Sequence, residues 1–234
     1  MLSINNIMLS VNLCNVDINS IPAIDMNLYK PTANKGSGRF EVSANRVADM
    51  AAKVQYVPMM PIVSLGRHDS ITRIMGYDYH SNNLFYADIT NDGTIKKVRC
   101  LSECNSTQDR ACMNLPLYGK RGLTMMRDRL VAVFTGKYRG YSAEDVLATE
   151  VNHIDRCGLN DDPNNLEVVP KWANTLHKNL TDILLDNSWM IGRLFTHQYI
   201  VDLLHDVLGE DIDLSKITKK ELEEALVSEL SNNN

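Results

Sequence analysis

Aromatic residues are scarce in this 234-residue chain, at 6%, and no apolar run approaches the roughly 18 residues that a membrane-spanning helix needs. The opening residues, MLSINNIMLSVNLCNV, lack the basic start and small-residue cleavage site of a signal peptide. No membrane partner and a cytoplasmic location are therefore expected. Cysteine is also sparse: Cys14, Cys100, Cys104, Cys112 and Cys157 make an odd set of five, which argues against a disulfide framework in a chain of this size. The C-x3-C-x7-C spacing of Cys100, Cys104 and Cys112 lacks the C-x2-C knuckle of structural zinc, so buried, reduced thiols are the simpler expectation. Excess positive charge is missing as well. A net charge of −5 excludes a protein that coats nucleic acid by bulk attraction.

What is present is an ordinary globular composition, 44% hydrophobic and 23% charged, with no internal repeat. The charge is unevenly placed. Residues 1–114 carry 11 Lys/Arg against 10 Asp/Glu, and residues 115–180 carry 9 against 8. Residues 181–234 carry 4 against 11, so the acidity lies in the C-terminal part and a nucleic-acid site would lie upstream of it.

Local patterns suggest an α+β chain. Residues 1–30 alternate weakly and predict one or two short strands, and KPTANKGSGR (30–39) reads as a flexible loop. SANRVADMAAKV (43–54) predicts a helix capped by Ser43, and QYVPMMPIVSL, broken by Pro58 and Pro61, an extended segment. NLFYADIT and IKKVRCL flank NDGT, a strong hairpin signal. TMMRDRLVAVFTG (124–136) reads as a helix stopped by Gly136, and SAEDVLATE as a second helix capped by Ser142. Two helices close the chain: 196–209, with Thr196 as N-cap, and 218–230, opened by a Thr218–Glu221 capping box. They fit either a helical hairpin packed on the main domain or a docking device for another protein or a second copy.

The informative stretch is EVNHIDRCGLNDDPNNLEVV (150–169), where His153 precedes a loop crowded with Asn and Asp. EVNHID and LEVV read as two strands joined by that polar loop, followed by a helix, PKWANTLHKNL, with Pro170 near its start. Trp172, Leu176 and Leu180 fall along one side of this helix, and Asn174 and His177 lie three apart on another. That second face could place Asn152, Asn174 and His153 around a common space. Phosphodiester hydrolysis needs a base for water and a cation for the phosphate. An imidazole suits the first task, and Asn carbonyls are hard oxygen ligands for Mg²⁺. A loop amide such as Asn165 could orient the imidazole through the loop backbone.

VNHID at 151–155, NNLEVV at 164–169, ANTLH at 173–177 and RLVAVF at 129–134 appear in this order. Together they resemble the HNH endonucleases of phages and mobile introns over about residues 115–180. The resemblance implies a ββα-metal (HNH) core between an N-terminal mixed strand/helix region (1–114) and an acidic C-terminal helical hairpin (181–234). It implies His153 as general base, Asn165 as the loop-fixing Asn, His177 as an auxiliary helix residue, Asn152 and Asn174 as ligands of one divalent cation (Mg²⁺ or Mn²⁺), and Asp155 as a stabiliser of the loop. Double-stranded DNA would be the substrate, and Lys120, Arg121, Arg127, Arg129, Lys137, Arg139, Lys171 and Lys178 could clamp it. Where the family has His, Gly-Asn and Trp, this chain has Asp128, Arg156-Cys157 and Val168. Between RLVAVF and VNHID an inserted helix carries three acids, Glu144, Asp145 and Glu150, which near a DNA groove would repel phosphate unless they face away. Two functions follow: a homing-like DNA endonuclease of an infected bacterial host, or an HNH-fold protein that binds DNA or a transcription or replication protein without cutting. Retention of His153, Asn165, Asn174 and His177 favours the first.

Overall fold

A computed structural model describes residues 4–30, 38–104, 110–117, 123–186 and 197–232. The protein is α+β, with antiparallel sheets and several helices. It divides into two compact units, Met1–Leu147 with Asp161–Pro163, and Ala148–Asn160 with Asn164–Asn234. This differs from the expected boundaries near 114 and 180. RLVAVF lies in the first unit, because Leu130 through Phe134 are all buried there, and the C-terminal helices share a core with the second.

The larger unit is built on a four-stranded meander: β1 (Ile62–His68), β2 (Ile71–Asp78), β3 (Asn83–Thr90) and β4 (Ile95–Cys100). The Asn-Asp-Gly turn joins β3 to β4 as expected, with Gly93 at φ 84°, a backbone shape that glycine takes without steric cost. Helix α1 (Ile4–Leu13) supplies Leu9 and Leu13 to a cluster with Ile62, Ile74, Phe85 and Ile89. Strands were expected here; one-sided burial against the sheet overrides the weak alternation. Helix α2 (Arg39–Lys53) begins before Ser43, and its N-cap is Gly38, which makes no side-chain cap bond. The expected loop at 30–39 falls largely outside the described residues.

A second sheet holds β5 (Glu103–Cys104), β6 (Cys112–Leu115) and β7 (Leu123–Met126), and α3 (Arg127–Phe134) follows β7 directly. The start of the expected 124–136 helix is therefore a strand, since Leu123–Met126 pairs with Leu115–Cys112. Gly136 does close the helix, at φ 81°. None of the five cysteines is buried: Cys14, Cys100 and Cys157 are exposed, and Cys104 and Cys112 are half-buried register partners.

Helix α4 (Ala143–Ala148) opens with Ser142, whose hydroxyl accepts from Asp145 N–H while the Asp145 carboxylate accepts from Ser142 N–H. In the smaller unit, β8 (Thr149–His153) pairs antiparallel with β9 (Leu166–Pro170), and α5 (Lys171–Asp186) continues from β9 and packs on both strands. Leu176 and Leu180 of α5 meet Leu204 of α6 (His197–Leu208) and Leu222 of α7 (Lys219–Asn232). Each such leucine contributes about 1.5–3 kcal/mol on burial. Trp172, placed with this stripe by spacing, is 36% exposed instead; Ala173 takes the buried position. The Thr218–Glu221 capping box forms, while Thr196 lies outside the described residues. Among the described residues no helix is long and apolar enough to cross a membrane.

Candidate functional site

Side chains two apart on a strand share a face, and directly opposed residues of a hairpin share it too. Glu150 and Asn152 therefore stand together on β8, and Glu167, the register partner of Asn152, stands beside them on β9. Helix α5 closes on this face. Asn174 Nδ2 donates to Glu150 Oε2 at 2.6 Å, and Asn152 Nδ2 donates to Glu167 Oε1 at 2.7 Å. His177 Nδ1 lies 3.1 Å from Asn152 Oδ1, and both residues are buried. An amide oxygen only accepts, so the proton of this bond sits on His177 Nδ1.

His153 is the last residue of β8 and is 4% exposed. Strand alternation directs its Cα–Cβ bond away from the face that holds Asn152. The expected grouping of Asn152, Asn174 and His153 on one face is therefore divided, with His153 directed to the other face of β8. The α5 side carries Asn152, Asn174 and His177, together with two glutamates.

The loop that follows is closed by its own amides. Ile154 N–H donates to Asn165 O at 2.9 Å, tying the strand end beside His153 to the backbone of Asn165. The Asn165 side chain accepts from Asp155 N–H and donates to Asp155 Oδ1 and to Asn160 O. Asp155 also accepts from Cys157 N–H and Asn160 Nδ2. Burial pushes the Asp155 carboxyl up, but the donors Asn160, Cys157 and Asn165, with the His153 ring nearby, hold it below the usual carboxylate value. Arg156, standing where the resembled family has Gly, adopts φ 61°, and its guanidinium reaches Asp182 of α5 at 2.5 Å.

The basic residues divide. Lys120 and Arg121 lie outside the described residues. Arg127 is turned inward, its side chain 12% exposed, donating to Asp161 Oδ2 at 3.0 Å and to Asn82 O at 2.7 Å. Arg129 and Lys137 are half-buried, and Lys171 and Lys178 are exposed on α5. Arg139 is exposed and stacks 4.4 Å above the Tyr56 ring. Tyr138, between Lys137 and Arg139, is fully buried and meets Tyr141 edge to face. Asp128, in place of the family's His, is buried and pairs with Arg110 at 2.8 Å.

Among the described residues no three His, Cys, Asp or Glu side chains are grouped to hold a metal ion. The α5 face instead carries amide oxygens, hard ligands of the kind Mg²⁺ and Mn²⁺ accept, with carboxylates next to them; Asn152 Oδ1 already accepts from His177 Nδ1 and keeps one further lone pair. That donor chemistry fits a hydrated divalent cation. Glu150 and Glu167 were not singled out from the sequence as site residues; the period-2 spacing of Glu150 and Asn152 was the available signal, whereas Glu167 needed the hairpin register. No family model, no curated protein and no solved structure matches the chain.

Proposed function

We propose that the β8–β9 hairpin and α5 form an HNH-type ββα-metal site and that the protein is a metal-dependent DNA endonuclease. The observation that carries this reading is the closed loop: Asn165 ties the end of β8 at Ile154 and Asp155, next to a buried histidine and across the strand from two candidate ligand amides. In this reading His153 takes a proton from a water molecule, the water oxygen bonds to phosphorus, and the bond to the 3′ oxygen breaks; that oxygen takes a proton from solvent to become a 3′-hydroxyl, leaving a 5′-phosphate. Asn152 and Asn174 would hold a divalent cation, which would supply neutralisation of charge on the phosphate and the departing oxygen. Asn165 holds the backbone that carries the base, and Lys171 and Lys178, exposed on α5, would meet a phosphate chain.

A second reading is a DNA- or protein-binding protein that does not cut. It is favoured by the exposed acids of the C-terminal helices and the turn between them, Asp202, Asp206, Glu210, Glu221, Glu223 and Glu224, which suit a basic protein surface. Supercoiled plasmid incubated with Mg²⁺, Mn²⁺ or a chelator separates the two. The nuclease gives metal-dependent nicked circles with ligatable 5′-phosphate ends. Retarded but uncut plasmid under every metal condition supports the binding protein instead.

A further inference from the structure

The site as read from its sequence has two neutral ligands, Asn152 and Asn174, and an amide can present either its oxygen or its NH₂ to a cation. Only the oxygen is a ligand. Each amide is met by a glutamate: Asn152 by Glu167 at 2.7 Å, and Asn174 by Glu150 at 2.6 Å. A carboxylate oxygen accepts and does not donate, so in both pairs the NH₂ must face the glutamate and the carbonyl oxygen must face elsewhere. The same device occurs twice, on two different strands, against one helix residue and one hairpin residue.

We propose that Glu150 and Glu167 are the positioning residues of the divalent-cation site, fixing Asn174 and Asn152 as oxygen donors and placing formal negative charge behind them. This rests on the nuclease reading of the hairpin and α5. The Glu167 arm extends one step further. With the Asn152 amide fixed, one lone pair of its Oδ1 receives the Nδ1 proton of His177 and the other is left for the cation, so that of the two neutral tautomers of His177 only Nδ1–H fits. Glu167, Asn152 and His177 therefore form one orienting chain, and Glu150 and Asn174 form another. Outer partners of this kind typically change metal affinity by roughly 10- to 100-fold when removed.

The test uses the full chain and the substitutions Glu150→Gln and Glu167→Gln. Glutamine keeps the shape and can still accept from the Asn amide, but it removes the charge and, being also a donor, removes the constraint on amide orientation. Mn²⁺ is titrated into the protein without DNA and free Mn²⁺ is read by electron paramagnetic resonance. The expected result is a rise in the dissociation constant of about tenfold for each variant, with thermal melting close to that of the parent. Long-range ¹H–¹⁵N spectra of the metal-free protein provide a second readout. His177 is expected as a single Nδ1–H tautomer in the parent and as a mixture in Glu167→Gln.

Parent protein that binds Mn²⁺ and nicks plasmid, with both variants binding unchanged, overturns the positioning role and leaves the nuclease reading standing. Parent protein that neither binds Mn²⁺ nor nicks overturns that reading and, with it, the cation role of the glutamates. An Nε2–H tautomer at His177 in the parent overturns the orienting chain whatever the metal does.

Discussion

Three buried carboxylates of the larger unit and two half-buried ones on the α5 face of the smaller unit are met by different partners. In the larger unit Asp88 is met by Arg73 at 2.6 Å, Asp128 by Arg110 at 2.8 Å and Asp161 by Arg127 at 3.0 Å. These are guanidinium pairs, in which a charge taken from water is offset by an opposite charge. On the α5 face of the smaller unit, Glu150 and Glu167 take amide N–H donors from Asn174 and Asn152. Such a bond orients the amide, whose NH₂ must face the carboxylate. The first arrangement holds a fold together; the second holds two amides in one orientation, which is what the proposed cation site requires.

Breaking a pair in each unit sharpens the contrast. Arg127→Ala leaves Asp161, whose side chain is 1% exposed, without its guanidinium. It should cost about 3–5 kcal/mol in denaturant unfolding, a stability loss where a DNA contact would have shown only weaker DNA binding. A variant of parental stability with reduced DNA affinity would break the comparison. Gly76→Ala probes the larger unit's packing alone, because a Cβ there would sit 2.6 Å from Phe85 Cζ and 2.9 Å from Ile62 Cγ2. The expected loss is about 1–3 kcal/mol, with metal binding untouched.

Asn174→Ala, in the smaller unit, should cost at most about 1 kcal/mol of stability while Mn²⁺-dependent nicking falls by roughly 10- to 100-fold. Equal losses in both would place Asn174 with the structural pairs. Arg156→Gly relieves the φ 61° backbone but removes the half-buried ion pair to Asp182. The two effects oppose, and the melting temperature should report a net change within about 1 kcal/mol.

The smallest effect is one of pH. Asp155 has its carboxyl held below the usual value, so the stability it adds is present above the unfolded value of about 3.9 and is lost as pH falls through the lower folded value. Amide exchange at Asp155 and Cys157 should accelerate below about pH 4, and Asp155→Asn should flatten that dependence.

The elements around the site were legible because their signals are local. Alternation and a polar loop mark β8 and β9, and the three-residue spacing of Asn174 and His177 puts both on the side of α5 that meets the hairpin. The Asn-Asp-Gly turn and the Thr218 capping box are equally local. What escaped depends on distant partners. Helix α1 exists because Leu9 and Leu13 find the sheet, β7 because β6 pairs with it, and the inward turn of Arg127 because Asp161 waits 34 residues away. Glu150 was grouped with Glu144 and Asp145 as an acid that phosphate would avoid. Its role against Asn174 required α5 to close on β8.

The most direct measurement is the single-turnover rate of plasmid nicking in Mn²⁺ by the parent and by His153→Ala, each shown to be folded. Removal of the general base should slow nicking by roughly 10²–10⁴-fold while Mn²⁺ binding persists. Nicking by His153→Ala at the parental rate, or nicking that survives a chelator, would contradict the assignment of the hairpin as the catalytic site.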